Sequence, residues 1–154
     1  MLYLIPARLH RAAMPLGYVL WRAYIRIVRP DVASVSVFIE DDEGRILLIR
    51  QSYGTRDWTM PAGGTKRNED PELAIRREVQ EELSCELHTL ELLRHAEESV
   101  FGAPHRASIF RARAASEPVA DRREVVEVRW FALDDLPDNL TSVTRRRLEL
   151  LQQG

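Results

Sequence analysis

A chain of 154 residues is one domain's worth and long enough to bury a core. Its 45% apolar and 30% charged residues are ordinary for a soluble globular protein. A net charge of −2 argues against a dedicated nucleic-acid-binding domain, so no specific nucleic-acid partner is expected. The single cysteine excludes an internal disulfide framework and fits a reducing, cytoplasmic setting.

Residues 1–30 read as an amphipathic, basic N-terminal helix. Leu9, Ala13, Leu16, Leu20, Ala23, Tyr24 and Ile27 recur at helical spacing, and Pro15 places the firm part at Leu16–Val28. Every charged residue here is an arginine: Arg8, Arg11, Arg22, Arg26 and Arg29. Arginine interrupts the apolar stretch and no small-residue cleavage site follows, so neither a signal peptide nor a spanning helix is expected. The expected role is packing on the domain or on a second subunit as a homodimer, with contact to an anionic membrane surface as the alternative.

Asp31–Glu40 alternates with β-branched residues and predicts a strand. Asp41–Gly44 predicts a hairpin turn and Arg45–Gln51 a more fully buried strand. Ser52–Asp57 is a polar loop, and Trp58–Pro61 a short strand entering a turn at Gly63 and Gly64. Trp58 suits either a cleft edge or the core beneath the loop.

The most informative stretch is Gly63–Cys85, GGTKRNEDPELAIRREVQEELSC. Asp70-Pro71 supplies an N-cap followed by proline at the first helical position. On the helix, Glu78, Glu81 and Glu82 share one face, and like charges at that spacing repel by some tenths of a kcal/mol per pair. A hard divalent cation reverses that cost. Gly63 and Gly64 permit backbone that other residues resist and can bring a carbonyl close to an ion. Arg77, about two turns in, is placed to pair with Glu69 and tie the loop onto the helix.

This segment resembles the Nudix box, Gly-x5-Glu-x7-Arg-Glu-aliphatic-x-Glu-Glu-x-Gly-aliphatic, as found in MutT-like and ADP-ribose pyrophosphatase-like hydrolases. Gly63, Glu69, Arg77, Glu78, Val79, Glu81 and Glu82 match it. Ser84 replaces the second glycine, which leaves the helix ending in question, and Cys85 holds the final apolar position as a small buried hydrophobe. Asn68, where relatives often have Gly, tolerates positive φ. The Trp58-x-x-Pro61 approach is also common in the family.

Beyond the box, Glu86–Glu97 predicts a long strand, Ser99–His105 a loop, and Arg106–Ala114 a strand buried through Ala107, Ile109 and Phe110. Ala115–Glu124 is a polar loop, Val125–Leu133 the closing strand and Asp134–Pro137 a turn. Thr141 caps a last helix running through Leu151, with Val143, Leu148 and Leu151 apolar. The order implies an α/β fold with a mixed sheet covered on both faces. The resemblance, over Asp31–Gln153, implies the same Nudix-type α/β/α sandwich for a domain of residues 31–154.

The resemblance further implies a Mg²⁺-dependent pyrophosphohydrolase, with Mn²⁺ as a substitute, acting on a small nucleoside diphosphate derivative. A catalytically inactive Nudix-fold binding or sensing module is the alternative. Gly63, Glu78, Glu81 and Glu82 would hold metal, and Glu69 with Arg77 would support the box. Glu78 or a carboxylate from a later loop would handle the water's proton. Glu98, Glu117, Glu124 and Glu127 are available, with Glu124 and Glu127 preferred because they flank the closing strand. Arg50, Arg56 and Arg106 are candidates for phosphate contacts, and His10, His88, His95 and His105 are too scattered for a ligand pattern.

Overall fold

The computed structural model describes residues 7–28 and 32–152. Arg29, Asp31 and Gln153 lie outside the described residues, as do the side chains of Arg8, Leu9, His10 and Arg11. The elements are α1 (Ala7–Val28), β1 (Val32–Glu40), β2 (Ile46–Gln51), β3 (Ala62–Gly64), α2 (Pro71–Leu83), β4 (Leu87–Val100), β5 (Ala103–Ala114), β6 (Val125–Phe131) and α3 (Ser142–Arg147). α3 tightens into a 3₁₀ turn at Leu148–Gln152.

The six-stranded sheet runs β4-β5-β1-β2-β6, with β3 also on β1. β1 and β5 are parallel and the other pairs antiparallel, so the sheet is mixed. β1 and β2 are buried on both faces because helices cover both. On one face Val35, Val37, Ile39, Leu47 and Ile49 meet Ala74, Ile75, Val79 and Leu83 of α2. On the other, Phe38, Ile46, Leu48, Trp58 and Met60 pack against Leu148, Leu150 and Leu151. This is the α/β/α sandwich.

Three elements depart from the sequence reading. The strand expected at Trp58–Pro61 is only two isolated bridges, at Trp58 and Thr59, and the regular strand is β3. Pro61 has no N–H to give, and its carbonyl accepts from Val37 N at 3.0 Å instead. The loop expected at Ser99–His105 is a tight hairpin turned by Phe101 and Gly102, both at positive φ (51° and 84°). Two consecutive left-handed residues are what a two-residue hairpin requires. Pro104 fits because pairing of β5 with β1 begins only at His105.

The third departure is α1. Pro15 sits inside the helix rather than breaking it. Among its described side chains only Ile25 is buried, while Leu16, Leu20, Tyr24 and Ile27 are exposed. The stripe expected to pack on the domain or on a second subunit faces away from the domain. Contact with the domain runs instead through Tyr18, whose ring lies 5.7 Å from that of Tyr53, and Trp21 and Arg22, which meet Phe101 at the β4–β5 hairpin.

The far face carries a buried polar tie. Arg147 donates to Ser36 Oγ at 2.9 Å and to Glu98 at 2.8 Å. His105, 3.6 Å from Glu98, is buried, and burial lowers its pKa. Removing one partner strands the others, at about 3–5 kcal/mol for a fully buried pair. Glu98 keeps some access to water, so Arg147→Met is expected to cost about 2–3 kcal/mol in urea unfolding at neutral pH. A loss below about 0.5 kcal/mol would mean that the tie contributes nothing net.

Candidate active site

β3 delivers the site's first constraint. Gly63 and Gly64 are extended strand residues with negative φ, not a turn. Gly63 leaves room for Glu78: a Cβ there would overlap the Glu78 carboxyl group and force it aside, whereas a Cβ on Gly64 meets nothing within 4 Å. The chain then turns through Asn68, at φ 60°, to the N-cap Asp70, which accepts from Glu72 N at 2.8 Å.

Arg77 ties the loop and strand to the helix. Its Nε and Nη2 donate to the two oxygens of Glu69, each at 2.9 Å, and Nη2 also donates to the Gly64 carbonyl at 3.0 Å. Nη1 donates to Glu78 at 2.7 Å and lies 3.7 Å from Glu81. One guanidinium therefore joins β3, the loop and α2. The Arg77 hydrogen bonds, helped by Lys66 N–H at 2.7 Å, hold the Glu69 carboxyl down at about 2. Arg77 is correspondingly driven further toward its charged form.

Ala74, Ile75, Val79 and Leu83 anchor α2 in the core, which leaves Glu78 and Glu82 at the seam between helix and sheet. Glu82 is only 6% exposed, and burial, followed by the charges of Glu78, Glu124, Asp121 and Glu81, raises its pKa well above the ordinary carboxylate value. Burial also raises that of Glu78, against the pull of Arg77. Glu81 remains exposed. Ser84 closes the helix in the left-handed conformation at φ 48°, the geometry the missing glycine would have taken.

Backbone hydrogen bonds bring in the later loop. Val119 N donates to Leu83 O at 2.7 Å and Asp121 N to Glu82 O at 2.8 Å. Asp121 Oδ1 then accepts from the N–H groups of Arg123, Glu124 and Val125. Ser52 N donates to Glu124 O at 2.8 Å, which fixes the neighbouring loop and its Tyr53. Burial and the charges of Glu82, Glu124 and Glu78 raise the Tyr53 pKa, so it is a neutral hydroxyl at physiological pH.

The sequence-nominated carboxylates thus separate. Glu124 enters the electrostatic field of Glu78 and Glu82. Glu127 pairs with Arg50 at 3.1 Å and Arg129 at 3.0 Å. Glu98 is engaged with Arg147 on the opposite face, and Glu117 accepts from the Trp130 indole at 3.4 Å. Tyr53 and Asp121 were not legible as site residues. The run of N–H groups that Asp121 caps is an Asx-type turn, the one signal available for it. Trp58 fills core, edge-on to Phe131 with Arg50 over its ring.

Among the described residues no three His, Cys, Asp or Glu side chains converge closely enough to hold a metal ion as they stand. Glu78 is bonded to Arg77, and Glu81 leans the same way. Two clefts flank the box. One, about 780 Å³, is lined by Tyr18, Arg22, Tyr53, Arg56 and Thr141, and Tyr53 follows Ser52, whose N–H holds the Glu124 carbonyl. The other, about 800 Å³, lies beyond the box loop between Lys66, Arg67, His95 and Arg106.

A family model described as NUDIX domain matches residues 30–153. The RNA pyrophosphohydrolase of Saccharophagus degradans is 44% identical over 50 residues, 32% of this chain and 29% of that protein. That of Methylococcus capsulatus is 38% identical over 60 residues, 39% and 31% of the two chains. The chain therefore spans about a third of the length of these curated relatives. Among solved structures, a MutT NUDIX hydrolase from Burkholderia pseudomallei superposes with TM-score 0.71 at 32% identity, covering 79% of this chain and 98% of its own.

The Gly63 constraint has a direct test. Gly63→Ala is expected to push Glu78 aside and cost about 1–3 kcal/mol, the usual range for overpacking. Gly64→Ala should be close to neutral. In a Glu78→Ala background the Gly63 penalty should largely vanish, as a double-mutant cycle in denaturant would record. An equal penalty in both backgrounds would place the clash elsewhere.

Proposed function

The chain belongs to the NUDIX domain family, and on that premise we propose that it is a divalent-metal-dependent pyrophosphohydrolase cleaving a phosphoanhydride bond in a nucleoside diphosphate derivative. The observation that carries this is the Arg77 node, which bonds Glu69, the Gly64 carbonyl and Glu78, with Glu82 buried one turn further along α2 in the field of Glu78 and Glu124. The donor set fits a hard cation: oxygen only, partly dehydrated and in excess negative charge. Glu78, Glu81, Glu82 and the Gly63 carbonyl would hold Mg²⁺, with Mn²⁺ as a substitute. When bound, the ion neutralises charge on phosphate oxygens and acidifies a coordinated water.

The chain's own residues supply the rest. Glu124 is the proton acceptor for the attacking water, because Asp121, the other loop acid in the field of the box glutamates, is committed to the backbone N–H groups of Arg123, Glu124 and Val125. Arg56 lines the adjoining cleft and draws in phosphates. Tyr53, kept protonated, donates a hydrogen bond to a substrate oxygen. The expectation of no nucleic-acid partner is not carried forward, because it rested on net charge alone and proteins named RNA pyrophosphohydrolase are among the relatives. The 5′ polyphosphate end of an RNA belongs beside free nucleotides as a substrate to test.

Glu82→Gln separates chemistry from folding. Release of monophosphate ends with Mg²⁺ present should fall by about 10²–10³-fold, the cost of losing one preorganised electrostatic group. Stability should move the other way. A carboxyl whose folded pKa is raised stabilises fully below its unfolded value near 4.5, and that contribution is lost as pH rises through the raised value. Without metal at neutral pH, Glu82→Gln should therefore gain on the order of 1 kcal/mol, or ~2–4 °C in Tm, and the gain should vanish near pH 4. Mg²⁺ should raise the wild-type Tm and leave the variant's nearly unchanged. Wild-type turnover in the variant at limiting Mg²⁺ would sink the assignment.

A further inference from the structure

We propose that α1 seats the protein in the plane of an anionic lipid bilayer, its outward apolar face in the acyl boundary and Arg22 and Arg26 among the headgroups. The first observation is exposure: Leu16, Val19, Leu20, Tyr24 and Ile27 are each between 52% and 80% exposed and lie on one side of a 22-residue helix. At 100° per residue these positions form one stripe, opposite Tyr18, Trp21 and Ile25, which meet the domain. An apolar face of that extent, left in water, marks an interaction surface. No helix among the described residues is long and apolar enough to cross a membrane, so the contact lies in the plane.

Charge selects the occupant. Residues 1–30 hold five of the chain's 22 basic residues and none of its 24 acidic ones. Residues 31–154 are left with seventeen basic against twenty-four acidic, so the segment that carries α1 is the basic end of an otherwise acidic chain. Arg22 and Arg26, one turn apart, run along one edge of the exposed stripe. A two-fold pairing of α1 with a second copy would bring two basic segments together without a carboxylate on either helix. An anionic bilayer offers the missing negative charge and an apolar interior at the same surface. It also repels the acidic remainder of the protein, which fixes the approach.

The orientation has a consequence for the cleft. The domain-facing side of α1 holds Tyr18 against Tyr53, beside Glu82 and Glu124. Val19 and Arg22 also line that cleft, so a docked helix sets its mouth beside the headgroup layer.

Flotation of the full chain at low ionic strength tests this, with vesicles of phosphatidylcholine alone or mixed with phosphatidylglycerol. The wild type should rise with the mixed vesicles and at least tenfold less with the neutral ones, since each surface arginine contributes a several-fold factor. Leu20→Asp/Ile27→Asp, at exposed positions outside the cleft, should lower recovery at least tenfold with unchanged Tm and unchanged turnover of a soluble nucleotide. Wild type that stays with the soluble fraction, floats equally with both vesicles, or floats as well after the double substitution overturns the proposal. So does a wild-type dimer in sedimentation that the double substitution dissolves, which would assign the face to a second copy.

Discussion

The structure depends on one guanidinium. Arg77 directs its donors to both oxygens of Glu69, the Gly64 carbonyl and one oxygen of Glu78. Those partners come from a strand end, a loop and a helix, and Arg77 is where the three meet. The planar fork can hold two parallel bonds to a carboxylate while a third edge reaches a carbonyl, which a lysine ammonium cannot do in a fixed geometry. The same group divides the box glutamates electrostatically. Glu78 gains an opposite charge at 2.7 Å, which offsets part of its burial. Glu82, one turn further on, is governed by burial and by the acids around it.

The core explains why that penalty persists. Ala74, Ile75, Val79 and Leu83 are essentially inaccessible and fix the rotation of α2 about its axis. With that face committed, Glu78 and Glu82 have nowhere to go but the seam with the sheet, one turn apart. Burial of the apolar face offsets the cost of the crowded carboxylates, and the later loop adds to both sides of the balance. It contributes backbone hydrogen bonds to the carbonyls of Glu82 and Leu83 and also two more acids, Asp121 and Glu124. A site assembled against its own electrostatics is the condition in which a divalent cation has most to stabilise.

Most of the fold was legible because its signals are local. The alternation in β1, the Asp70-Pro71 helix start and the Thr141 cap each depend on a few neighbouring residues, and each element formed where those residues stand. The Glu69–Arg77 pair was legible for the same reason, since its spacing is a property of one helix and one loop. Gly63 matters to the fold for a cause that its residue type does not state. A glycine in sequence suggests a turn, and only the fold reveals a Glu78 carboxyl occupying the place of its Cβ. Tyr53 and Asp121 were invisible because backbone hydrogen bonds between distant segments put them there, and backbone bonds leave no trace in residue type.

α1 shows the limit most clearly. Amphipathic periodicity states that a helix has two unlike faces, but not which of them meets the protein. Here the domain-facing side buries one aliphatic residue, Ile25, and otherwise meets the domain through amphipathic rings and a guanidinium: Tyr18 against Tyr53, Trp21 and Arg22 against Phe101. These contacts tolerate water at their edges, as expected at the rim of a cleft that must admit a charged substrate. Leu16, Val19, Leu20 and Ile27, whose burial would gain most from a core, point away from it. A helix that turns its less apolar side to its own domain leaves a free energy of burial unused in the isolated molecule. That unused term, together with an all-arginine charge on the same element, is what distinguishes α1 from an ordinary packed helix.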